Sequence, residues 1–137
     1  MLLRDCFASL AMTLITMHQY LIINNHEKGC FSFPDFSKLD LRVGEVKEAA
    51  LLEGSKKLIL MKVDLGKDYG TVEIIAGLAE FYQPEDLVGN KYIVLANLEP
   101  KKLMGKYSNG MILVADDPEK FTLIPLDKNL KNGTVIR

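Results

Sequence analysis

LILMKVDLGKDYGTVEIIA, residues 58–76, sets the reading of the whole chain. Leu58 to Leu65 is a β-rich apolar run, Gly66-Lys67-Asp68-Tyr69-Gly70 supplies turn residues, and Thr71 to Ala76 resumes the strand pattern. Two strands joined by a short turn are expected there. Upstream, Leu39, Leu41 and Val43 share one face while Asp40 and Arg42 share the other, a period of two that reads as a strand running to about Ala50. The three runs form a meander. Downstream, Pro84-Glu85-Asp86-Leu87-Val88-Gly89 has the signature of a short helical turn, with proline early, acids in the first turn and glycine at the end. Strands are expected again at Tyr92 to Ala96 and at Met111 to Ala115. Phe121 to Ile124 and Thr134 to Ile136 are further short apolar runs, the first after Asp116-Asp117-Pro118 and the second after Asn132-Gly133.

This pattern predicts an all-β fold. Three strands, a short helix and two more strands is the element order of the five-stranded OB barrel, here with extra C-terminal strands. Order alone also suits an SH3-like barrel or part of a sandwich. No internal repeat or low-complexity tract interrupts it.

With 137 residues and 48% hydrophobic content, the chain holds one packed domain, or one domain with an appendage. The composition changes near residue 35. Before Pro34 only Arg4, Asp5, Glu27 and Lys28 are charged, whereas from Asp35 onward charges recur every few residues. Residues 1–34 are therefore expected to be an extension outside the domain, and residues 35–137 the domain itself. Phe7 to Met17 has the length of a signal-peptide core, but Asp5 offsets Arg4 and no clear cleavage site follows. The run is also too short, and too broken by His18 and Gln19, to span a bilayer. Leu10, Leu14, Met17 and Leu21 fit an added amphipathic helix, and an over-long start is the other plain explanation.

Lys+Arg 17 against Asp+Glu 18 leaves a net charge of −1, so a nucleic-acid site would have to be a local patch. Cys6 and Cys30 form no C-x-x-C and have no histidine pair at ligand spacing, which argues against a zinc site and against a disulfide scaffold. A reducing, cytoplasmic setting follows as the default. Catalytic signatures are missing: there is no phosphate loop, nucleophile elbow, zinc-protease helix or dinucleotide fingerprint. Both histidines, His18 and His26, lie in the extension. Asp116-Asp117 reads as a solvated loop, and Asn132-Gly133-Thr134, although a glycosylation pattern, reads as a turn. No catalysis, metal or cofactor is expected.

Polarity is concentrated in residues 97–111, NLEPKKLMGKYSNGM, which join two apolar runs and carry Lys101, Lys102 and Lys106 against Glu99. Lysines for phosphate, Asn and Ser as donors, and Met and Tyr to lie against bases are the parts a nucleic-acid site needs. A plain connector would look similar: its polarity is ordinary, Gly110 would be a turn glycine, and Met104 and Met111 would be core.

Ala96-Asn97-Leu98-Glu99-Pro100-Lys101-Lys102, followed by Gly105-Lys106-Tyr107-Ser108-Asn109-Gly110-Met111, resembles the A-N-L-x-P-x-K and G-x-x-S-x-G-M signatures of the tRNA-binding domain of methionyl-tRNA synthetase. Asp40-Leu41-Arg42-Val43-Gly44, Glu53-Gly54-Ser55 with Lys57-Leu58, Asp64-Leu65-Gly66, Ala76-Gly77 and Leu87-Val88-Gly89 fall in the same order and spacing, so the resemblance covers Phe36 to Arg137. It implies an OB barrel whose extra C-terminal strands dimerise, and tRNA bound by shape and backbone without catalysis. The implied contact residues are Arg42, Lys57, Asn97, Lys101, Lys102, Lys106, Ser108, Asn109, Gly110 and Met111. Two positions depart: Ala76 stands where many members have serine, and Glu99 adds an acid beside the lysines. The expected role is a β subunit or detached C-terminal domain of methionyl-tRNA synthetase, possessing tRNA and a second copy as partners and the catalytic subunit as a third. Relatives that act as chaperones supply the rival expectation, a dimeric protein-binding module. Phe121, Leu123, Ile124, Val135 and Ile136 are the apolar residues expected to form the dimer surface.

Overall fold

A computed structural model describes residues 29–137. The chain divides into two units, Met1–Lys38 and Leu39–Arg137. The helical periodicity, the signal-like run and both histidines of the extension lie outside the described residues. Within the first unit, Phe33–Phe36 forms a single helical turn, α1, with Pro34 in its first turn and the Ser32 hydroxyl accepting the Asp35 N–H. Cys30 is disulfide-bonded, which departs from the thiol expected of a reducing setting.

The second unit is built on a twisted antiparallel sheet. Its strands are β1 (Leu41–Leu51), β2 (Ile59–Asp64), β3 (Thr71–Ala76), β4 (Lys91–Leu95), β5 (Lys101–Leu103), β6 (Lys106–Ser108), β7 (Met111–Ile112), β8 (Val114–Asp116), β9 (Phe121–Leu123) and β10 (Val135–Ile136). The main sheet runs β3-β2-β1-β4-β7, with β10 added on β1. β1 is the organiser, because its eleven residues are long enough to pair with β2, β4 and β10, and it bends at a register shift between Val46 and Glu48. The alternation read from the sequence holds for β2, where Ile59, Met61 and Val63 are buried, but β1 departs from it: Gly44 and Val46 face the barrel core, while Leu41 and buried Val43 lie on the opposite face and Leu39 is exposed. Ile74 and Val94 face the same core.

Closure comes from the chain just after β6. The Asn109 N–H donates to the Glu73 carbonyl at 2.8 Å, and the Ser108 hydroxyl accepts the Ile75 N–H at 3.0 Å, so β3 is tied to the segment leading into β7. The result is a nearly closed five-strand antiparallel barrel of OB type, rather than an SH3-like barrel or a sandwich half. Helix α2, Pro84–Leu87, starts with proline at its first turn and buries Pro84 and Leu87 against the core, which makes it a plug for the barrel.

Two expectations change in detail. The run Met111 to Ala115 is interrupted at Leu113: β7 pairs with β4, whereas β8 leaves the barrel and pairs with β9 as a separate ribbon. The polar segment 97–111 is also more than a connector, since β5 and β6 pair as a hairpin in the register Lys101↔Ser108, Lys102↔Tyr107 and Leu103↔Lys106. Its turn residues, Met104 and Gly105, both have positive φ (49° and 86°), the handedness that suits a two-residue hairpin turn.

Candidate nucleic-acid interface

The hairpin has two faces, fixed by the period of two. Ser108 points inward and is 7% exposed, and Leu103 on the same side is half-buried, so one face is seated on the barrel. Lys102 and Tyr107 lie opposite each other on the outer face, with the lysine Nζ 5.9 Å from the ring centroid. At the tip, the Met104 methyl carbon comes within 3.1 Å of the place a Cβ on Gly54 would occupy. The tip is therefore packed against the β1–β2 loop, which carries Lys56 and Lys57. In OB barrels these two connections, between the first and second strands and between the fourth and fifth, flank the oligonucleotide-binding face.

The lysines of the hairpin itself, Lys101, Lys102 and Lys106, are exposed and have no carboxylate partner among the described residues, although exposed Glu53 and Glu99 lie in the same two segments. Lys57 meets Glu80 at 3.7 Å with both side chains largely exposed, a contact weak enough for a phosphate to displace. Together with exposed Lys56, the two loops thus assemble five ammonium groups on a chain whose net charge is −1. Exposed Met111 (43%) and Met104 (56%) add apolar surface beside them, so neither methionine is core.

Arg42 is placed differently. Its Nε and Nη2 donate to Asp40 at 2.6 and 3.1 Å, and its Nη1 donates to Asp68 and to the Gly133 carbonyl, each at 2.9 Å. The guanidinium also lies 5.6 Å from the centre of the Tyr69 ring, whose hydroxyl donates to Asp40 at 2.6 Å. This clamp sits at the β2–β3 turn, the end of β2 opposite to the loop that carries Lys57. The hydrogen bonds from Arg42 hold the Asp40 carboxyl below its ordinary value, and those to Asp40 and Asp68 push the Arg42 guanidinium higher still.

The remaining candidates frame the hairpin. The Asn97 Oδ1 accepts the Asp40 N–H at 2.8 Å and anchors the chain as it leaves β4. Ser108 donates to the Gly110 carbonyl at 3.1 Å, and half-buried Asn109 bonds to β3 through its backbone. The register puts Lys102 on the outer face of the hairpin and Lys101 and Lys106, both exposed, on the face shared with Ser108 and Leu103; Lys57 stands on the loop packed against the tip, and Met111 is exposed. Ser108, Asn109 and Gly110 support the base of the hairpin. The candidate set omitted Lys56 and Tyr107. Their signals were the doubled lysine at 56–57 and the position of Tyr107 opposite Lys102, and the second becomes visible only once the hairpin is recognised.

Among the described residues no cluster of three or more His, Cys, Asp or Glu side chains could hold a metal, and no helix is long and apolar enough to cross a membrane.

The family profile described as "Putative tRNA binding domain" matches residues 41–135. The methionine–tRNA ligase of Pyrococcus horikoshii is 49% identical over 105 residues, which span 77% of this chain but 14% of that protein. The chain spans about a seventh of the length of the curated relatives it matches. Among solved structures, a MetRS related protein from Pyrococcus horikoshii superposes with a TM-score of 0.74 at 35% identity, covering 79% of this chain and 98% of that one. The chaperone CsaA of Bacillus anthracis superposes with a TM-score of 0.72 at 31% identity, covering 80% and 100%.

Proposed function

This chain belongs to the tRNA-binding domain family, and from that premise we propose that it acts as a non-catalytic tRNA-binding protein, the β subunit or detached C-terminal domain of a methionyl-tRNA synthetase. One observation carries the reading: Lys101, Lys102 and Lys106, without ion pairs among the described residues, stand on a hairpin whose tip is packed against the loop of Lys56 and Lys57. Ammonium groups that lack carboxylate partners are available to displace condensed counterions from a phosphate backbone. Lysines are also point charges that accept many phosphate orientations, which suits recognition by backbone and shape. Asn97, Ser108, Asn109, Gly110 and Met111 act with them, as anchors of the hairpin and as its flank, and Arg42 holds the strand from which the surface is built.

The working form in this proposal is a cytoplasmic homodimer that joins the catalytic subunit of the synthetase. Ile124 is exposed and available to a second copy, whereas Leu123 is buried and both Val135, whose side chain is exposed, and Ile136 pair with β1 in the same chain. The likeness to a chaperone favours one second reading, a dimeric module that binds unfolded polypeptide through exposed Leu98, Met104 and Met111. Gel retardation of bulk tRNA, run beside suppression of aggregation of a denatured protein, separates the two. Retardation without suppression is the expected result; suppression without retardation would replace the tRNA reading with the chaperone reading.

A further inference from the structure

We infer that Tyr107 is a stacking platform for an unpaired RNA base, so that the hairpin selects RNA with an accessible single-stranded segment instead of a continuous duplex. The inference rests on the tRNA-binding reading above and adds a ligand class to it. Tyr107 is 55% exposed, on the outer face of a hairpin whose inner face is fixed by Ser108. The ring is therefore presented on a rigid support and is not a floating loop residue, which lowers the ordering cost of binding. Its hydroxyl makes no hydrogen bond among the described residues, and its ring belongs to no part of the core. An aromatic held this way stabilises the barrel little, yet it offers a π-face that any base matches.

The surroundings specify which ligand. Lys102 Nζ lies 5.9 Å from the ring centroid, and Lys106 precedes the tyrosine directly. Cations at this distance from a stacked base sit where the phosphates of the same strand run. An apolar peptide would gain nothing from the Lys102 ammonium beside the ring, or from Lys101 and Lys106 on the other face of the same hairpin. A blunt duplex would meet the lysines but keep its base faces covered by their neighbours, leaving Tyr107 unused. Only a strand with a splayed base satisfies the ring and the cations together.

The chain contains no tryptophan, so Tyr107→Trp introduces a sole indole at the platform. The probes are a single-stranded RNA oligonucleotide, a blunt RNA duplex with the same number of phosphates, and heparin. Saturable indole quenching is expected with the single strand and not with the duplex or heparin. In the full chain, Tyr107→Ala should weaken single-strand binding roughly tenfold and leave the dependence of log affinity on log salt unchanged, because no phosphate contact is lost. Tyr107→Phe keeps the ring and should bind the single strand close to wild type. Wild-type affinity in Tyr107→Ala, or equal quenching by single strand and duplex, overturns the platform while leaving the lysine-based tRNA site intact. Absence of all RNA binding by the wild-type protein removes both.

Discussion

The Ser108 hydroxyl accepts the backbone N–H of Ile75 at 3.0 Å, joining two residues from opposite sides of the barrel seam. The same oxygen donates to the Gly110 carbonyl, so one buried side chain both closes the barrel and sets the base of the lysine hairpin. Ser108→Ala leaves the Ile75 N–H without its acceptor in a buried site. Loss of about 1–3 kcal/mol in unfolding free energy is expected, read as a lower urea midpoint. Affinity for tRNA should fall modestly through the displaced hairpin, with its salt dependence unaltered.

Gly44 tests the packing around β1. A Cβ at this position would lie 2.7 Å from both Val63 Cγ1 and Val94 Cγ2, on the two strands that flank it. Gly44→Ala forces these buried side chains apart and should destabilise the fold by about 1–3 kcal/mol. Thermal melts monitored by circular dichroism would register it, and a melting temperature equal to wild type would mean that β2 and β4 yield more easily than their pairing suggests.

Acid should expose the Asp40–Arg42 clamp. The Arg42 hydrogen bonds lower the Asp40 carboxyl below its ordinary 3.8 in the folded state. A carboxylate shifted this way contributes stability that is complete above the unfolded value and is lost as pH falls through the folded one. Asp64, held down first by the Gly66 N–H and then by Asn132, acts in the same direction. Urea midpoints should therefore hold steady near neutrality and drop below about pH 4. Asp40→Asn should lower the midpoint at pH 7 and flatten that acid dependence.

The barrel was legible because its strands are apolar runs separated by turn residues. Ile59, Met61 and Val63 announce a buried face two by two, and Pro84 with Gly89 brackets the plug helix, whereas the apolar face read at Leu41 and Val43 is not the one β1 turns to the core. The hairpin of Lys101–Ser108 was not legible as a hairpin, since Met104-Gly105 lacks the Asn-Gly or Asp-Gly signal of a two-residue turn, and a non-glycine residue at positive φ is uncommon. Nor does the sequence reveal that Ser108 reaches Ile75, or that Arg42 is held by Asp68 and Gly133; those partners are distant along the chain and meet only on folding. Resemblance thus named a contact set. Geometry separated its exposed cations from its supports.

The most direct measurement is the slope of log affinity for bulk tRNA against log salt, for the wild-type chain and for a variant with Lys101→Ala and Lys102→Ala. Both lysines are exposed and make no ion pair among the described residues, so the variant should fold as wild type. The account predicts a steep negative slope for wild type. In the variant, binding should weaken for all tRNAs alike, with a slope shallower by about one to two units. A normally folded variant with wild-type affinity and slope would contradict it, and the basic hairpin would then be a solvated connector.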